Sequence, residues 1–435
     1  MPFPEESLTD WVDRHSACLV RITSDLVRIP SENTPPSGAE QGCQQYVAAF
    51  LRDLGWTPEL YSLDEVSGLK EHPLFWPGRN YENRPNLGAR KRGSGNGRSL
   101  LLSGHVDTVP RGTQPWTRDA FGGAVEGNRL FGRGANDMKA GVAVTLFVLQ
   151  ALRELRIPLA GDLLFETVVD EEFGGANGTL AGRLRGYNAD AAIIAEPSFL
   201  RVCPAQRGGR IAHITLQAAG GVLTDKAFPS GVMDQLTVFL GAVSAFREQR
   251  RRNAPAHEMY QGHADPVPVA ITKIFTAPWG NREPITVPEE CRIEFYWQAM
   301  PGEPLDKVDR EFFEWMDGVC AAHPEVLPRR PKIEFPTRWL PGSAISGSEA
   351  LVTEMAACAA RVLGKQPPIA GIEGPCDMYI FHQGFGIPAV LWGGRGGNTH
   401  GADEYVDIDS ILDAAKALLV FVCQWCGALA PERNA

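Results

Sequence analysis

A short apolar run that ends in a histidine and an aspartate restricts the fold of this chain more than any other stretch. Leu100–Leu102 is typical of a buried strand, and it leads into Gly104-His105-Val106-Asp107. On an extended backbone, side chains two residues apart point to the same face, and open α/β sheets place their chemistry at the carboxyl ends of strands. The stretch therefore predicts an imidazole at such an edge, with the Asp107 carboxylate behind it. Taken alone, a His-x-Asp pair is more often a satisfied polar pair at a strand end.

Composition excludes several classes of protein. The 435 residues predict two or three domains. The formal net charge of -10 argues against a nucleic-acid or polybasic membrane-surface binder. We expect a cytoplasmic protein, since no secretory signal or membrane-spanning run is recognisable and the nine cysteines are scattered. Cys423 and Cys426 form a CxxC pair on an apolar helical pattern, which favours buried reduced thiols.

The chain before the histidine predicts two helices and a long loop. The first helix is expected to be capped by Ser7 or Thr9 and to end near Val27, before Ile29-Pro30. The second is expected over Gly38–Leu54. Residues 66–98 are rich in Gly, Pro, Arg and Asn, which predicts a loop whose role, functional or merely exposed, the pattern leaves open.

Further carboxylates follow the histidine at predicted element ends. Asp137 lies beside glycines at the start of a helix expected over 138–156, where an isolated aspartate would be read as an N-cap. A β-branched strand over 161–169 ends in Asp170-Glu171-Glu172. Three consecutive carboxylates at a buried strand end repel one another, so we expect them to need a cation.

Two more strands end in candidate ligands. The apolar run 189–195 ends in Glu196, and the run 387–392 leads into a glycine-rich loop that ends at His400. That loop lacks the Lys-Ser/Thr of a phosphate-binding loop. Its predicted role is to carry His400.

Together these residues predict a dinuclear metal centre. Two histidines and three carboxylates suit zinc, cobalt or manganese; they are His105, Asp137, Glu172, Glu196 and His400. If Asp137 bridges, each metal receives one histidine, one glutamate and a share of Asp137. Glu171 is then free to take a proton from a water activated by the metals. Such a pair of metals, activating water and polarising a carbonyl, indicates a hydrolase.

Five stretches in this order resemble the M20 family of metallopeptidases and amidohydrolases, particularly its acetylornithine deacetylase and succinyl-diaminopimelate desuccinylase branch. They span 104–110, 132–141, 170–175, 195–197 and 398–404. The resemblance implies that His105 and Glu196 bind one metal and that Glu172 and His400 bind the other. It further implies that Asp137 bridges, that Asp107 supports His105, and that Glu171 is the general base and acid.

The resemblance also implies a domain arrangement. A metal-binding α/β domain, with a mixed, mostly parallel sheet flanked by helices, is expected from residues 1–205 and 326–435. An inserted α+β, ferredoxin-like lid is expected over 206–325, with strands near 209–219, 266–276 and 291–299 and helices near 231–250 and 304–320. In the family this lid forms a homodimer, so a homodimer is expected here.

The chain departs from the family pattern within the expected lid. Many members carry a lid histidine that reaches the substrate carbonyl, whereas Gly220–Gly231 has none; Thr224, Asp225 or Lys226 occupies its neighbourhood. A usual Asp-x-Arg is replaced by Tyr296-Trp297-Gln298. Arg207 is a candidate for pairing with a substrate carboxylate, although a structural contact is about as well supported.

Three functional hypotheses follow. The first is a dinuclear metal-dependent hydrolase that cleaves an amide C–N bond in a small N-acyl amino acid-like substrate, with Glu171 as base. The second uses the same centre on a non-peptide C–N bond, for example in deamination of an amino-aromatic compound, because the lid histidine is missing and aromatic Phe228, Tyr296 and Trp297 lie near the departures from the family pattern. The third, a metal-binding protein without catalysis, is disfavoured because Glu171 and the whole ligand set are present.

Overall fold

The computed structural model describes residues 4–174, 177–222, 231–276 and 286–430. The chain divides into two compact units. The first comprises residues 1–205, 344–372 and 376–435, and the second comprises 206–343 and 373–375. The candidate metal ligands all belong to the first unit.

A six-stranded mixed sheet forms the centre of the first unit. Its strands, in spatial order, are Ala389–Leu391, Ala192–Ile194, Leu100–His105, Leu163–Val168, Asn86–Lys91 and Glu59–Tyr61. The first four strands are mutually parallel; Asn86–Lys91 is antiparallel to them, and Glu59–Tyr61 pairs antiparallel with Asn86–Lys91. This confirms the predicted mixed, mostly parallel sheet. The carboxyl ends of the four parallel strands meet at one edge, where the candidate ligands follow them.

Helices flank this sheet, and one of them is apolar on nearly every face. Ala140–Glu154 packs against the strand Leu100–His105 and against the helices Ser16–Arg28 and Ile408–Trp425. Because these neighbours bury it on all sides, its sequence lacks a polar stripe. The α-helices of the unit are Glu5–Arg14, Ser16–Arg28, Gln41–Asp53, Ala140–Glu154, Asn177–Arg185, Ala350–Leu363 and Ile408–Trp425.

Short strands and helical turns connect the loops that follow the strands of the central sheet. A small antiparallel sheet consists of Gly396–Gly397, Tyr405–Asp407, Arg129–Phe131 and Ala124–Glu126, in that order. It joins the segment before Asp137 to the segment around His400. The remaining short elements are the strands Asn33–Thr34, Ser37–Gly38, Ala205–Gln206 and Ser343–Ala344 and the helical turns Leu63–Glu65, Ala135–Lys139 and Ile380–Gly384.

The second unit is an antiparallel sheet with two helices. Its strands, in spatial order, are Val269–Phe275, Glu290–Ala299, Gly208–Gln217 and Lys332–Glu334. The helices are Val232–Asn253 and Leu305–Ala322; a turn, Glu258–Tyr260, and two paired short strands, Gly221–Val222 and Thr286–Val287, complete the unit. Aromatic side chains dominate its core, and buried Trp297 stacks on Phe312 with ring centroids 4.6 Å apart. Trp297 is therefore a packing residue of this core.

Three expectations about local structure were wrong. The N-terminal helix begins at Glu5, so Ser7 and Thr9 lie inside it, and His15 separates it from a second helix. The helix expected from Gly38 begins at Gln41, because Ser37–Gly38 pairs with Asn33–Thr34. The 66–98 loop contains the strand Asn86–Lys91, which pairs with Leu163–Val168.

Two further expectations concern membranes and disulfides. Among the described residues, no helix is long and apolar enough to cross a membrane. All nine cysteines lie within the described ranges and none forms a disulfide. Cys423 and Cys426 are buried, as the sequence predicts.

Candidate metal centre

His105 ends the central strand Leu100–His105, whose six residues are all buried. Its ring Nδ1 lies 2.9 Å from the backbone oxygen of Asp107, whereas the nearer carboxylate oxygen of Asp107 is 3.5 Å away. The closer support of the ring is therefore the Asp107 carbonyl rather than the expected carboxylate. Either contact directs Nε2 away from the strand, towards the other candidate ligands.

The Asp107 carboxylate organises the turn that follows a neighbouring strand. Its Oδ1 accepts a hydrogen bond from the Glu171 backbone N–H at 3.2 Å, and its Oδ2 accepts one from the Glu172 N–H at 3.1 Å. The Asn33 amide donates to Oδ2 at 2.8 Å. Asp107 thus fixes the two glutamates relative to His105.

The five predicted ligands converge, with Asp137 between the two histidines. Nε2 of His105 lies 3.2 Å from Oδ1 of Asp137 and 3.6 Å from Oε1 of Glu196. Nε2 of His400 lies 3.3 Å from Oδ2 of Asp137 and 2.9 Å from Oε2 of Glu172. One carboxylate oxygen of Asp137 therefore faces each imidazole.

Glu171 lies at the same place as the predicted ligands. Its Oε2 is 4.0 Å from Nε2 of His105, and its side chain is 15% exposed. Among the residues that the structure describes, two groups have atoms close enough to share a cation: His105 with Glu171 and Glu196, and His105 with Asp137 and Glu172. The distances alone are therefore compatible with Glu171 as a metal ligand and with Glu171 as a general base.

Asp137 does not cap the following helix. It lies in the turn Ala135–Lys139 with an extended backbone (φ −119°, ψ 100°), ahead of the helix Ala140–Glu154. Gly134 precedes this turn with φ +80°, a conformation that favours glycine. The turn directs the Asp137 side chain to the histidines.

Glu404 holds this turn and was assigned no role from the sequence. Its carboxylate accepts hydrogen bonds from the backbone N–H groups of Asn136 and Asp137 at 2.9 and 3.1 Å. It also forms a buried ion pair with Arg133, whose Nη2 donates to the backbone oxygens of His400 and Gly401 at 3.2 and 3.0 Å. The pair therefore joins the Asp137 turn to the His400 loop. Glu404 lies 267 positions from Asp137 and 268 from Asn136, so sequence spacing gave no signal of these contacts.

Asp170 is neutralised by arginines rather than by a metal. Its carboxylate forms ion pairs with Arg79 and, at 3.5 Å, with Arg84, and it accepts a hydrogen bond from the Tyr81 hydroxyl at 2.8 Å. The expected need for a cation is therefore met at Asp170 by guanidinium groups, separately from Glu171 and Glu172. A positive φ of 70° turns this residue away from Glu171 and Glu172. The arginines come from the 66–98 segment, which is thereby given a structural role.

The electrostatics of the cluster reflect crowded, buried carboxylates. Burial, reinforced by neighbouring carboxylates, raises the pKa values of Glu171 and Glu196 well above their usual range and that of Glu172 to about 7. Burial would lower the pKa of His400, but Asp137 and Glu172 raise it to about 11. Protons thus balance charge that divalent cations would otherwise balance. Two imidazole nitrogens and several carboxylate oxygens are a donor set that fits zinc, cobalt or manganese.

Two glycines let the chain approach the cluster closely. A Cβ atom on Gly141 would lie 1.8 Å from the backbone oxygen of Ala195, and one on Gly393 would lie 2.3 Å from that of Glu196. The helix Ala140–Glu154 and the loop before His400 therefore both contact the strand end that carries Glu196.

One predicted substrate-binding residue belongs to the second unit, and two lie outside the described residues. Arg207, in the second unit, is 3% exposed, with Nη1 donating to Oε1 of Gln298 at 3.0 Å. Thr224 and Asp225 fall in the segment 223–230, outside the described residues. His213 is exposed and lies 3.2 Å from Glu294 on the sheet of that unit.

Comparison with known proteins identifies the family. The model of peptidase family M20/M25/M40 matches residues 101–424. The succinyl-diaminopimelate desuccinylase of Methylobacterium radiotolerans is 34% identical over 419 residues, covering 91% of this chain and 94% of that protein. The chain belongs to peptidase family M20. The M20 assignment confirms the resemblance inferred from the five motifs.

Two other comparisons extend over nearly the whole M20 chain. The N-formyl-4-amino-5-aminomethyl-2-methylpyrimidine deformylase of Bacillus subtilis is 26% identical over 451 residues, which is 97% of each protein. A dinuclear metal-binding peptidase of the M20 family, also from Bacillus subtilis, has the same fold, with a TM-score of 0.60 and 16% identity over 96% of this chain and 100% of that one. The chain is thus an enzyme, a hydrolase of amide C–N bonds other than ordinary peptide bonds.

Proposed function

We propose that this M20 enzyme is a dinuclear metal-dependent hydrolase that removes an acyl group from the nitrogen of a small N-acyl amino acid-like substrate. The observation that carries the proposal is the position of Asp137, with one carboxylate oxygen facing each of two imidazoles. The names of the relatives support the reaction class: the desuccinylase and the deformylase are both named for removing an acyl group.

In this proposal the ligands divide into two sets that share Asp137. His105 and Glu196 hold one cation, and Glu172 and His400 hold the other. Zinc is our first choice, with cobalt or manganese as alternatives. When bound, the metals would supply Lewis-acid polarisation of the acyl carbonyl and lower the pKa of the attacking water.

Glu171 is the proposed general base and acid. Its side chain adjoins the ligands, 4.0 Å from Nε2 of His105, and its backbone N–H is held by Asp107. Burial raises the pKa of its carboxyl well above the usual range. A carboxylate of raised pKa can accept a proton from water and return it to the leaving nitrogen. Asp107 positions Glu171 and His105 and need not touch substrate.

The proposal is tested by amine release. Metal-stripped protein would be incubated with N-formyl, N-acetyl and N-succinyl amino acids, with zinc, cobalt or manganese added back. We expect metal-dependent release of free amine, and we expect Glu171→Gln to lower kcat by about 10²–10⁴-fold while metal still binds. An exposed glutamate provides the matched control, Glu82→Gln. Full activity of Glu171→Gln at saturating metal would remove Glu171 from this role.

The same assay tests the deamination alternative. Release of ammonia from an amino-aromatic compound, together with no turnover of any N-acyl compound, would favour that reaction. Core packing of Trp297 removes one of the aromatic residues that motivated it.

The lid and dimer roles of residues 206–325 are also proposals. They are supported by the antiparallel sheet and two helices of the second unit, which extends to Ser343 because Lys332–Glu334 pairs with Gly208–Gln217. Sedimentation velocity tests the dimer; a monomer at micromolar concentration would contradict it.

A further inference from the structure

Asn33 joins the Asp107 carboxylate to a buried arginine, Arg79, which lies 46 positions further along the chain. Oδ1 of Asn33 accepts a hydrogen bond from Nη2 of Arg79 at 2.7 Å. Its Nδ2 donates to Oδ2 of Asp107 at 2.8 Å and, at 3.3 Å, to Oδ1 of Asp170. Asn33 is fully buried, and the Arg79 side chain is 4% exposed. Within the first unit, a continuous chain of hydrogen bonds therefore runs from Arg79 to Asp107.

The partners of Asn33 allow only one orientation of its amide group. A guanidinium can only donate hydrogen bonds, and an ionised carboxylate can only accept them. The amide oxygen of Asn33 must therefore face Arg79, and its NH2 group must face Asp107. The backbone N–H of Asn33 also donates to the Thr108 oxygen at 2.8 Å. Without Arg79, Oδ1 would be buried without this donor, which favours other positions of the side chain.

The backbone around Arg79 is anchored on both sides. The Trp76 N–H donates to the side-chain oxygen of Asn177 at 2.9 Å, and the Asn177 amide donates back to the Trp76 oxygen at 2.7 Å. The Asn80 N–H donates to the Pro36 oxygen at 2.8 Å. Because none of these bonds uses the Arg79 side chain, a substitution there leaves the anchors of this stretch in place.

We propose that Arg79 is a positioning residue of the metal centre. It acts through Asn33 on the Asp107 carboxylate. That carboxylate in turn accepts the backbone N–H groups of Glu171 and Glu172, the proposed base and one proposed metal ligand. The inference rests on the proposed function for its kinetic consequence. It gives the segment that carries Arg79 a role in the active centre beyond the neutralisation of a buried charge.

A purely structural role for Arg79 is the alternative, since its guanidinium also pairs with Asp170. Arg84 lies 3.5 Å from the same carboxylate, but two of its nitrogens already bind Glu40. Removing Arg79 alone would therefore leave a buried charge poorly compensated and would lower stability. Arg79→Met combined with Asp170→Asn removes the arginine and that charge together. Compared with Asp170→Asn alone, this double variant isolates the contact between Arg79 and Asn33.

The first experiment is amide hydrogen exchange of the metal-free protein, read by mass spectrometry of the peptide that contains Glu171 and Glu172. We expect this peptide to exchange about 10–100-fold faster in Arg79→Met/Asp170→Asn than in Asp170→Asn, because the carboxylate that accepts its N–H groups is no longer held in place. The strand Leu100–His105 should exchange equally in both proteins. Equal exchange of the peptide in both, or acceleration of peptide and strand together, would overturn the proposal.

The second experiment measures the effect on the metal centre. In competition with a chromophoric chelator, the double variant should bind cobalt about 10–100-fold more weakly than Asp170→Asn does. The visible spectrum of the bound cobalt should also change, since one ligand is displaced. Because Glu171 acts after the substrate has bound, kcat should fall about 10–100-fold with little change in KM. Unchanged cobalt affinity and spectrum would contradict the proposal.

Two further variants serve as controls. Arg79→Lys keeps the charge and a donor for Asn33, so it should recover part of the cobalt affinity. Arg92→Met removes an exposed arginine of the same segment and should match the wild type in every measurement. Absence of turnover in the wild type would count against the proposed function, whereas hydrogen exchange of the metal-free protein would still decide the present inference.

Discussion

Replacing Asp107 with asparagine tests whether one buried carboxylate organises the metal centre. Asp107 is fully buried, and each of its oxygens accepts a backbone N–H, from Glu171 and Glu172 respectively. Oδ2 also accepts from Asn33. An asparagine amide must direct its NH2 group at one of these donors, whichever way it is turned. The substitution therefore leaves at least one buried N–H unsatisfied.

The magnitude follows from these contacts. In the better orientation the amide oxygen keeps the bonds from Asn33 and Glu172, and the Glu171 N–H is left without an acceptor. One unsatisfied buried donor costs about 1–3 kcal/mol, and the retained bonds lose the strengthening that a charged acceptor gives. We expect Asp107→Asn to lower the free energy of unfolding of the metal-free protein by about 2–5 kcal/mol. Because the turn also carries Glu172, metal affinity should fall about 10–100-fold.

The assay combines urea unfolding of metal-free protein with metal competition against a chromophoric chelator. The matched control is Asp190→Asn, at an exposed aspartate that accepts bonds from the Ser99 backbone N–H and hydroxyl at 2.7 and 2.8 Å. The control should change stability by under about 1 kcal/mol and leave metal affinity unchanged. Unchanged stability and metal affinity in Asp107→Asn would refute the reasoning.

Three further predictions concern residues around the site and the fold. Glu404→Gln places an amide NH2 against backbone donors, so metal affinity should fall about 10–100-fold in the same competition assay; an unchanged affinity would contradict this. Gly141→Ala places a Cβ 1.8 Å from the Ala195 oxygen and should cost at least about 1–3 kcal/mol in urea unfolding. Gly318→Ala, in a helix with open space around it, should be neutral or stabilising; equal effects would refute the packing argument. Burial lowers the pKa of His382 to about 4. As the pH falls, the unfolded chain therefore takes up a proton on this histidine at a higher pH than the folded chain does. The free energy of unfolding should then decrease between about pH 6.5 and 4, by up to about 3 kcal/mol. His382→Gln should remove that part of the pH dependence, and an unaltered pH slope would contradict it.

The sequence predicts those parts of the site that depend on local pattern. His105 and Glu196 follow apolar runs that are strands in the structure, and parallel strands bring their carboxyl ends to one edge. The mixed, mostly parallel sheet is confirmed for the same reason. The metal assignments stay predictions, although the structure brings all five candidate ligands together.

The supporting contacts could not be predicted, because their partners are far apart in the chain. Glu404 lies 267 positions from Asp137, and Arg79 lies 91 positions from Asp170. No periodicity connects residues at such separations. From the sequence, Asp170 was grouped with Glu171 and Glu172 at one cation site. In the structure its positive φ and its ion pair with Arg79 give the Asp170 side chain different surroundings from the two glutamates.

Titration of metal-free protein with cobalt tests the central claim, that Asp137 joins two metal sites in one cluster. Calorimetry and the visible spectrum of bound cobalt would count the equivalents in the wild type and in Asp137→Asn. The account predicts two equivalents per chain, and it predicts that the single substitution weakens both. Binding of one equivalent by the wild type, or loss of only one site in Asp137→Asn, would contradict it.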